Sequence, residues 1–318
     1  MRHRRIQFKS ETLQKFPSRC HYLIGVSGGR DSVSLLHWLV KIGYRELIIC
    51  HLDHQLRGRS SRADAHFVEK LAGKYDVGFD LGLADVRGLA KRKNLSIETA
   101  AREARYAFFA ETARRRNCTT IFVAHHADDL VETFLMNLFR GAGSAGLAAM
   151  RETSTRRIDS VDLTIVRPFL SVWRKEIDDY VREHRLRFRE DATNKNLTPL
   201  RNRIRHRIVP YLEKMLGRNI RQNIWRTAMI AAEEEKWIKN ELQDSTDADL
   251  SVVKLRALPI ALQRRLLLKW LRAQNISDVG FDAIERVRSL ADGDARIAKV
   301  NLSENRHARR RAGKIFIE

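Results

Sequence analysis

Apolar residues fall along the first half of the chain in short compact blocks, separated by longer stretches with helical spacing. Tyr22-Leu23-Ile24-Gly25-Val26 and Leu47 to Leu52 each have the length of a buried strand. Val33 to Trp38, Ala63 to Tyr75, Ile97 to Arg116 and Asp128 to Phe139 repeat apolar positions every three or four residues, the spacing of one helical face. Gly78 to Leu83 predicts a weaker strand, Thr119 to Ala124 a buried one, and Leu163 to Val166 closes the series. Strands alternating with helices predict an α/β fold with a doubly wound, mostly parallel sheet, whose ligands bind beyond the carboxyl ends of the strands. After Pro168 the pattern turns helical, over Trp173 to His184, Asn202 to Leu216 and Arg221 to Leu242, with a break predicted at Pro210. The polar stretch 243–249 reads as a linker. Beyond it, Pro259 suits the first turn of a helix running to Ala273, and a second helix covers Phe281 to Leu290. Three alternating runs around Ile297, His307 and Ile315 predict a small sheet. The expected architecture is therefore an α/β domain, a helical region and a small α+β C-terminal domain, with no internal repeat or low-complexity tract.

Charge narrows the partner. The 318 residues carry 60 Lys+Arg against 39 Asp+Glu, a formal charge of +21, which favours a polyanion and, among polyanions, nucleic acid. No apolar run approaches the roughly 18 residues of a spanning helix. The basic start Met1-Arg2-His3-Arg4-Arg5 is not followed by an apolar signal segment, so no membrane partner and a cytoplasmic location are expected. Cys20, Cys50 and Cys118 are odd in number and far apart, which excludes a disulfide framework or a Cys-x-x-Cys metal site; all three read as small core residues.

The candidate chemistry begins at Ser27-Gly28-Gly29-Arg30-Asp31-Ser32, directly after the first strand and before the first helix. A strand, a Gly-rich turn and a helix N-terminus bring unpaired backbone N–H groups to one point, which makes an anion site. Asp31 beside phosphate requires a cation such as Mg²⁺ between the two, so ATP with Mg²⁺ is expected here. The Walker pattern is absent, which argues against γ-phosphate transfer of the usual ATPase kind. Gly141-Ala142-Gly143-Ser144-Ala145-Gly146 matches a dinucleotide fingerprint in its letters. It follows a predicted helix instead of a strand, so it reads as a mobile Gly-rich loop.

His125-His126-Ala127-Asp128-Asp129 opens a helix after the fourth strand, and Asp129 and Glu132 share one helical face suited to a cationic group. An acidic first turn that merely complements the helix dipole is the plain alternative. His51 and Asp53 point to one side of their strand, Leu52 and His54 to the other. Glu98, Arg102 and Arg105 share a helix face, a pattern that solvated helices also show. Arginines cluster at 182–189, 201–207 and 306–311, with Phe188, Trp225 and Trp237 nearby; the arginines suit phosphate contact, and the aromatics are expected mainly in the core.

Taken together these motifs resemble the tRNA(Ile)-lysidine synthetases of the PP-loop ATP pyrophosphatase superfamily. The likeness includes His51-x-Asp53-His54-x-Leu56-Arg57, Glu98-x-Ala100-Ala101-Arg102 to Arg105-Tyr106, Ala124-His125-His126-x-Asp128-Asp129-x-x-Glu132-Thr133 and Arg140-Gly141-x-Gly143-x-x-Gly146-Leu147. It extends through Arg167-Pro168-Phe169-Leu170, Glu190-Asp191-x-Thr193-Asn194 and Arg201-Asn202-x-Ile204-Arg205. The resemblance implies a catalytic domain over 1–210, with a helical connector and small tRNA-binding domain over 211–318, and a short form without a further C-terminal domain. It implies adenylation of the wobble cytidine of a CAU-anticodon tRNA(Ile), followed by attack of L-lysine at C2 and loss of AMP. By motif, Ser27, Gly28, Gly29, Arg30, Asp31 and Ser32 bind ATP, with Asp31 toward Mg²⁺. Asp129 and Glu132 receive the lysine ammonium groups, Arg105 its carboxylate or developing charge, and His125 the reacting phosphate. One arginine of 201–205, with Arg201 the candidate, joins them. A homodimer is left open. The rivals are a PP-loop tRNA thiolase, disfavoured by the lack of a Cys pair, and a non-catalytic RNA-binding protein.

Overall fold

In a computed structural model, residues 8–56, 58–189, 199–242, 249–277, 279–293 and 297–318 are described. The predicted linker through residue 248, Arg57 and the Glu190, Asp191, Thr193 and Asn194 motif lie outside these residues. The chain divides into two compact units, Met1–Ala232 and Glu233–Glu318.

The first unit runs β1 (Tyr22–Gly25), α1 (Arg30–Lys41), β2 (Leu47–Asp53), α2 (Arg59–Tyr75), β3 (Gly78–Leu83), α3 (Val86–Lys93), α4 (Ile97–Arg115), β4 (Thr120–Phe122) and α5 (Ala127–Leu138). It continues through α6 (Ser144–Leu147), β5 (Thr153–Ile158), β6 (Val161–Val166), α7 (Arg174–Glu183), α8 (Leu200–Arg203), α9 (Val209–Leu216) and α10 (Ile220–Glu241), the last straddling the division. The sheet order is β3-β2-β1-β4-β6-β5, parallel except for the β5–β6 hairpin. The doubly wound, mostly parallel sheet expected from the pattern is thus present.

Alternation along the strands builds two apolar layers. Tyr22, Ile24, Leu47, Ile49 and Phe122 pack with Leu36, Trp38, Phe169 and Tyr180, while Leu23, Cys50, Ile121 and Ile165 pack with Tyr106, Phe108 and Phe109 of α4. Leu23 and Ile24 are fully buried, each contributing about 2–3 kcal/mol of apolar transfer. From β1 the chain winds outward through β2 to β3, then returns to place β4 on the other side of β1. The β1–β4 gap is therefore the switch point, and the segments leaving both strands diverge there to leave a crevice.

Several elements depart from expectation. The β5 strand Thr-Ser-Thr-Arg-Arg-Ile is a half-exposed edge with almost no apolar signal, so the pattern missed it. The helix α3 is similarly basic; Asp85 caps it by accepting from the Gly88 N–H. Pro210 does not break its helix. A π turn over Ile204–Ile208, with Val209 N–H donating to Ile204 O, precedes the proline and absorbs the ladder bond the ring cannot make. The first compact unit reaches Ala232, because Ile224, Trp225, Ala228 and Met229 of α10 pack on Leu130, Phe134 and Leu135 of α5. Cys20 is exposed, and only Cys50 and Cys118 are core residues.

The second unit holds β7 (Leu250–Ser251), α11 (Val252–Arg256), α12 (Ile260–Ala273), α13 (Phe281–Ser289), β8 (Lys299–Asn301), β9 (His307–Arg311) and β10 (Lys314–Ile317). Its sheet has four strands, β7-β10-β9-β8, one more than the three predicted runs. Leu267, Trp270, Leu271, Val287, Leu290 and Ile315 form its core. Trp237 is 61% exposed, against the core expectation, whereas Trp225 is part-buried and donates its indole N–H to Leu170 O.

Candidate active site

The loop after β1 forms one wall of a cavity of about 470 Å³ at the switch point, lined by Ser27, Gly29, Asp31, Ser32, His51, Asp53, Asp64, Arg105, His125 and Arg189 among others. Gly28 has φ +85°, a backbone conformation that favours glycine, and an added Cβ would also press on Val68. Gly29 caps α1, leaving Arg30, Asp31 and Ser32 in its first turn. Ser32 Oγ accepts from Ser27 N at 3.2 Å and donates to Gly29 O at 3.0 Å, which fixes the loop's shape. His51 Nδ1 bonds Val26 O at 2.8 Å, bracing the base of the loop against β2.

Asp31 stands where the loop meets α5 and α7. Its Oδ2 lies 3.3 Å from Arg174 Nη1 and 3.8 Å from His126 Nε2, while its Oδ1 is buried with no hydrogen-bond partner. An orphaned carboxylate oxygen beside a Gly-rich turn suits a hard cation such as Mg²⁺, which takes one or two carboxylates together with phosphate oxygens and water. Among the described residues no group of three or more His, Cys, Asp or Glu is arranged to hold a metal. The Arg30 side chain turns away from the cavity; its guanidinium pairs with Asp178 and lies 4.9 Å from the Phe188 ring centroid.

The second half of the site is the N-terminus of α5. His126, 1% exposed, sits among Asp31, Asp128 and Asp129, with nitrogen–oxygen distances of 3.4–3.8 Å. Asp129 Oδ2 accepts the His126 backbone N–H at 3.1 Å. One turn on, Glu132 is 2% exposed and held by Arg205, whose Nε and Nη2 donate to Oε1 at 2.5 Å and Oε2 at 3.0 Å. Arg205 Nη2 also reaches Asp129 Oδ1 at 3.2 Å. Arg201 Nη2 donates to Thr133 Oγ1 at 3.2 Å, and its Nε lies 3.6 Å from Glu132 Oε2. The predicted acidic face is thus assembled, and both ends of the 201–205 segment reach it. The helical period turns Arg201 and Arg205 inward and leaves Arg203, His206 and Arg207 exposed.

The carboxyl pair is electrostatically split. Burial drives both groups upward; at Asp129 the neighbouring His126, Arg205 and the His126 backbone N–H outweigh it and hold the group low, whereas at Glu132 burial wins over Arg205 and the group is raised. His125 lines the cavity with its pKa pushed down to about 3, by burial first and then by Arg167, Arg102 and Arg105 against the opposing pull of Asp129. It is a neutral imidazole at physiological pH. Arg105 and the buried Tyr106 line the same cavity.

Sequence reading missed four participants. His126 had a signal in the His-His pair, but only packing shows which imidazole meets Asp31. Arg174 and Asp64 had none, and Arg189 was read only as part of a basic cluster: Arg174 comes from α7, and Arg189 Nε pairs with Asp64 at 2.8 Å while its backbone N–H donates to Gly28 O at 2.9 Å. Arg189 is thereby drawn from an expected RNA-binding cluster into the cavity wall. In the C-terminal cluster, Arg306 and Arg310 donate to backbone carbonyls at Gln274, Leu290 and Asp292, and Arg309 pairs with Glu318. These three side chains make structural contacts within the second unit.

Residues 3–212 match the family model described as a PP-loop domain, and residues 250–316 match the TilS substrate binding domain. A tRNA(Ile)-lysidine synthase from Chlorobaculum tepidum is 33% identical, the alignment covering 86% of this chain and 83% of that protein. The chain belongs to the tRNA(Ile)-lysidine synthase family. Another member, from Geobacter sulfurreducens, is 36% identical over 89% of this chain and 61% of its own length; one from Solibacter usitatus is 36% identical over 87% and 62%. The chain thus spans about three fifths of the length of these two relatives. The U34-tRNA thiolase NcsA from Methanococcus maripaludis, solved with its [4Fe-4S] cluster, aligns with a TM-score of 0.53 at 15% identity over 72% of this chain and 75% of that one, a likeness of fold alone. In this member of the lysidine synthase family, no helix among the described residues is long and apolar enough to cross a membrane.

Proposed function

We propose that this chain ligates L-lysine to C2 of the wobble cytidine of a CAU-anticodon tRNA(Ile), using ATP and acting in the cytoplasm. The observation that carries the reading is the meeting, through Asp31 and His126, of a phosphate cradle with a buried acidic pair. ATP enters the cavity with its phosphates on the Ser27 to Ser32 turn and the α1 N-terminus. Asp31 would hold Mg²⁺, which would supply charge neutralisation for the pyrophosphate leaving group. Cytidine O2 attacks the α-phosphorus, the bond to pyrophosphate breaks, and an adenylated cytidine results. His125 supports this step as a neutral hydrogen-bonding imidazole that adds no charge beside the phosphate.

In the second half-reaction the lysine ε-amine attacks C2 and the C2–O bond breaks to release AMP. The amine must be deprotonated to attack. Asp129 and Glu132 bind the ammonium groups, and the raised carboxyl of Glu132 suits it to take the proton. Arg105 pairs with the lysine carboxylate, and Arg201 keeps the acidic pair in place. Exposed Arg203 and Arg207 favour the RNA backbone, as the charge of +21 does for the chain as a whole.

The test is incubation with Mg-ATP, labelled lysine and a CAU-anticodon tRNA(Ile) transcript, followed by mild alkali. Label that survives alkali and depends on ATP and on the wobble cytidine is the expected result, because an aminoacyl ester is stripped by base. Binding of ATP and tRNA without retained label overturns the assignment.

A further inference from the structure

All four oxygens of the acidic pair are engaged from within the protein. Arg205 takes both oxygens of Glu132 and Oδ1 of Asp129, while Asp129 Oδ2 accepts the His126 N–H. Arg205 has the bidentate fork geometry that makes arginine–carboxylate pairs strong, and Glu132 is too buried for water to replace it at no cost. Arg201 stands beside them, its Nε without a hydrogen-bond partner at 3.6 Å from Glu132. An amine arriving at this pair meets a position that already holds a cation.

The backbone beneath Arg205 is suited to movement. The residue lies in the π turn Ile204–Ile208, which holds one residue more than an α turn. Shifting that bulge by one position swings a side chain by about 100° around the helix axis while the rest of the helix stays intact.

We propose that Arg205 is an internal cation occupying the ammonium subsite of Asp129 and Glu132, which the incoming amine must displace. The inference rests on the lysine reading above and adds its regulation: the subsite accepts only ligands whose cation outcompetes a bidentate guanidinium. A solvated weak cation does not, and the buried carboxylates are never left unpaired between turnovers.

Equilibrium dialysis with the full-length protein tests this, using labelled L-lysine and the carboxylate-free diamine cadaverine on wild type, Arg205→Met and Arg205→Gln. The glutamine variant retains a hydrogen-bond donor to Glu132 and carries the test if the methionine variant does not fold. If the open state is about a tenth of the wild-type population, removing the plug tightens both ligands about tenfold. Weaker lysine binding with unchanged cadaverine binding makes Arg205 a carboxylate ligand and overturns the proposal, as do unchanged affinities for both. The two readings separate cleanly. Tightened cadaverine without lysine transfer to tRNA keeps the displacement and removes lysidine formation; unchanged affinities in an enzyme that transfers lysine do the reverse.

Discussion

The Gly-rich turn and the acidic pair share one sheet edge, yet one keeps a carboxylate oxygen unpartnered and the other is filled. The turn is a contiguous segment whose groups come largely from the backbone, and its carboxylate keeps an unpartnered oxygen at Asp31 Oδ1. The pair is made of two side chains one helical turn apart, closed by Arg205 from the 200–216 helix. The difference follows from desolvation. Asp31 lines the cavity with a part-exposed side chain, whereas Glu132 is buried and would be costly to leave as a bare carboxylate.

Breaking the open half has the largest expected effect. Asp31→Asn lowers kcat/KM for ATP-dependent pyrophosphate release by about a thousandfold, since charge stabilisation of the leaving group is lost. Its tRNA affinity, read by filter binding, stays within about twofold, because the RNA is held by other charges. Retained pyrophosphate release would remove Asp31 from the chemistry and favour ATP as a structural ligand only.

In the filled half, Glu132→Gln takes one counter-charge from Arg205 and Arg201, leaving Arg205 on Asp129, and removes one of the two proposed ammonium acceptors. The expected outcome is a rise of about a hundredfold in the lysine KM with the ATP Kd unchanged, corresponding to about 3 kcal/mol of lost binding. A change in the ATP Kd of similar size would merge the two halves into one energetic unit.

The arginines of the 201–207 segment sharpen the contrast between inward and outward faces. Replacing exposed Arg203 and Arg207 together by Ala weakens tRNA binding and lowers the slope of log K against log salt by about one for each phosphate no longer neutralised. Lysine binding in the absence of RNA stays unchanged. An unaltered salt slope would take this surface out of the RNA interface.

The smallest expected effect concerns stability. His125 has a folded pKa of about 3, below the ordinary value of 6.5, so on acidification the unfolded chain takes up a proton that the folded chain refuses. Stability from this group is complete above pH 6.5 and is lost as pH falls from 6.5 toward 3. Between pH 7 and 5 the wild type loses about 1–2 kcal/mol more than His125→Asn in urea unfolding. Equal losses would mean that His125 takes its proton in the folded state.

How much was legible from sequence differs between the halves for the same reason. Ser27 to Ser32 could be read because strand, turn and helix are consecutive, and backbone N–H groups at a helix start need no distant partner. Asp129 and Glu132 could be read as one face because the helical period places them there. Arg205 could not be chosen over Arg201, since both point inward and only packing distinguishes the fork on Glu132 from the contact on Thr133. Arg174 carried no signal and Arg189 only that of a basic cluster, since the sheet topology, not chain neighbourhood, brings them to Asp31 and Asp64.

The amino-acid sequence by itself determined the alternation of strands and helices, the Gly-rich turn and the acidic helix face, because each depends on residues within a turn or two of one another, and the basic surplus, which is a sum over the chain. Tertiary structure alone decided which carboxylate is open and which is filled, which histidine meets Asp31, and which arginines face the site instead of solvent. Those outcomes depend on burial and on pairings between residues far apart in the chain, and the cost of an unpaired buried charge selects among them.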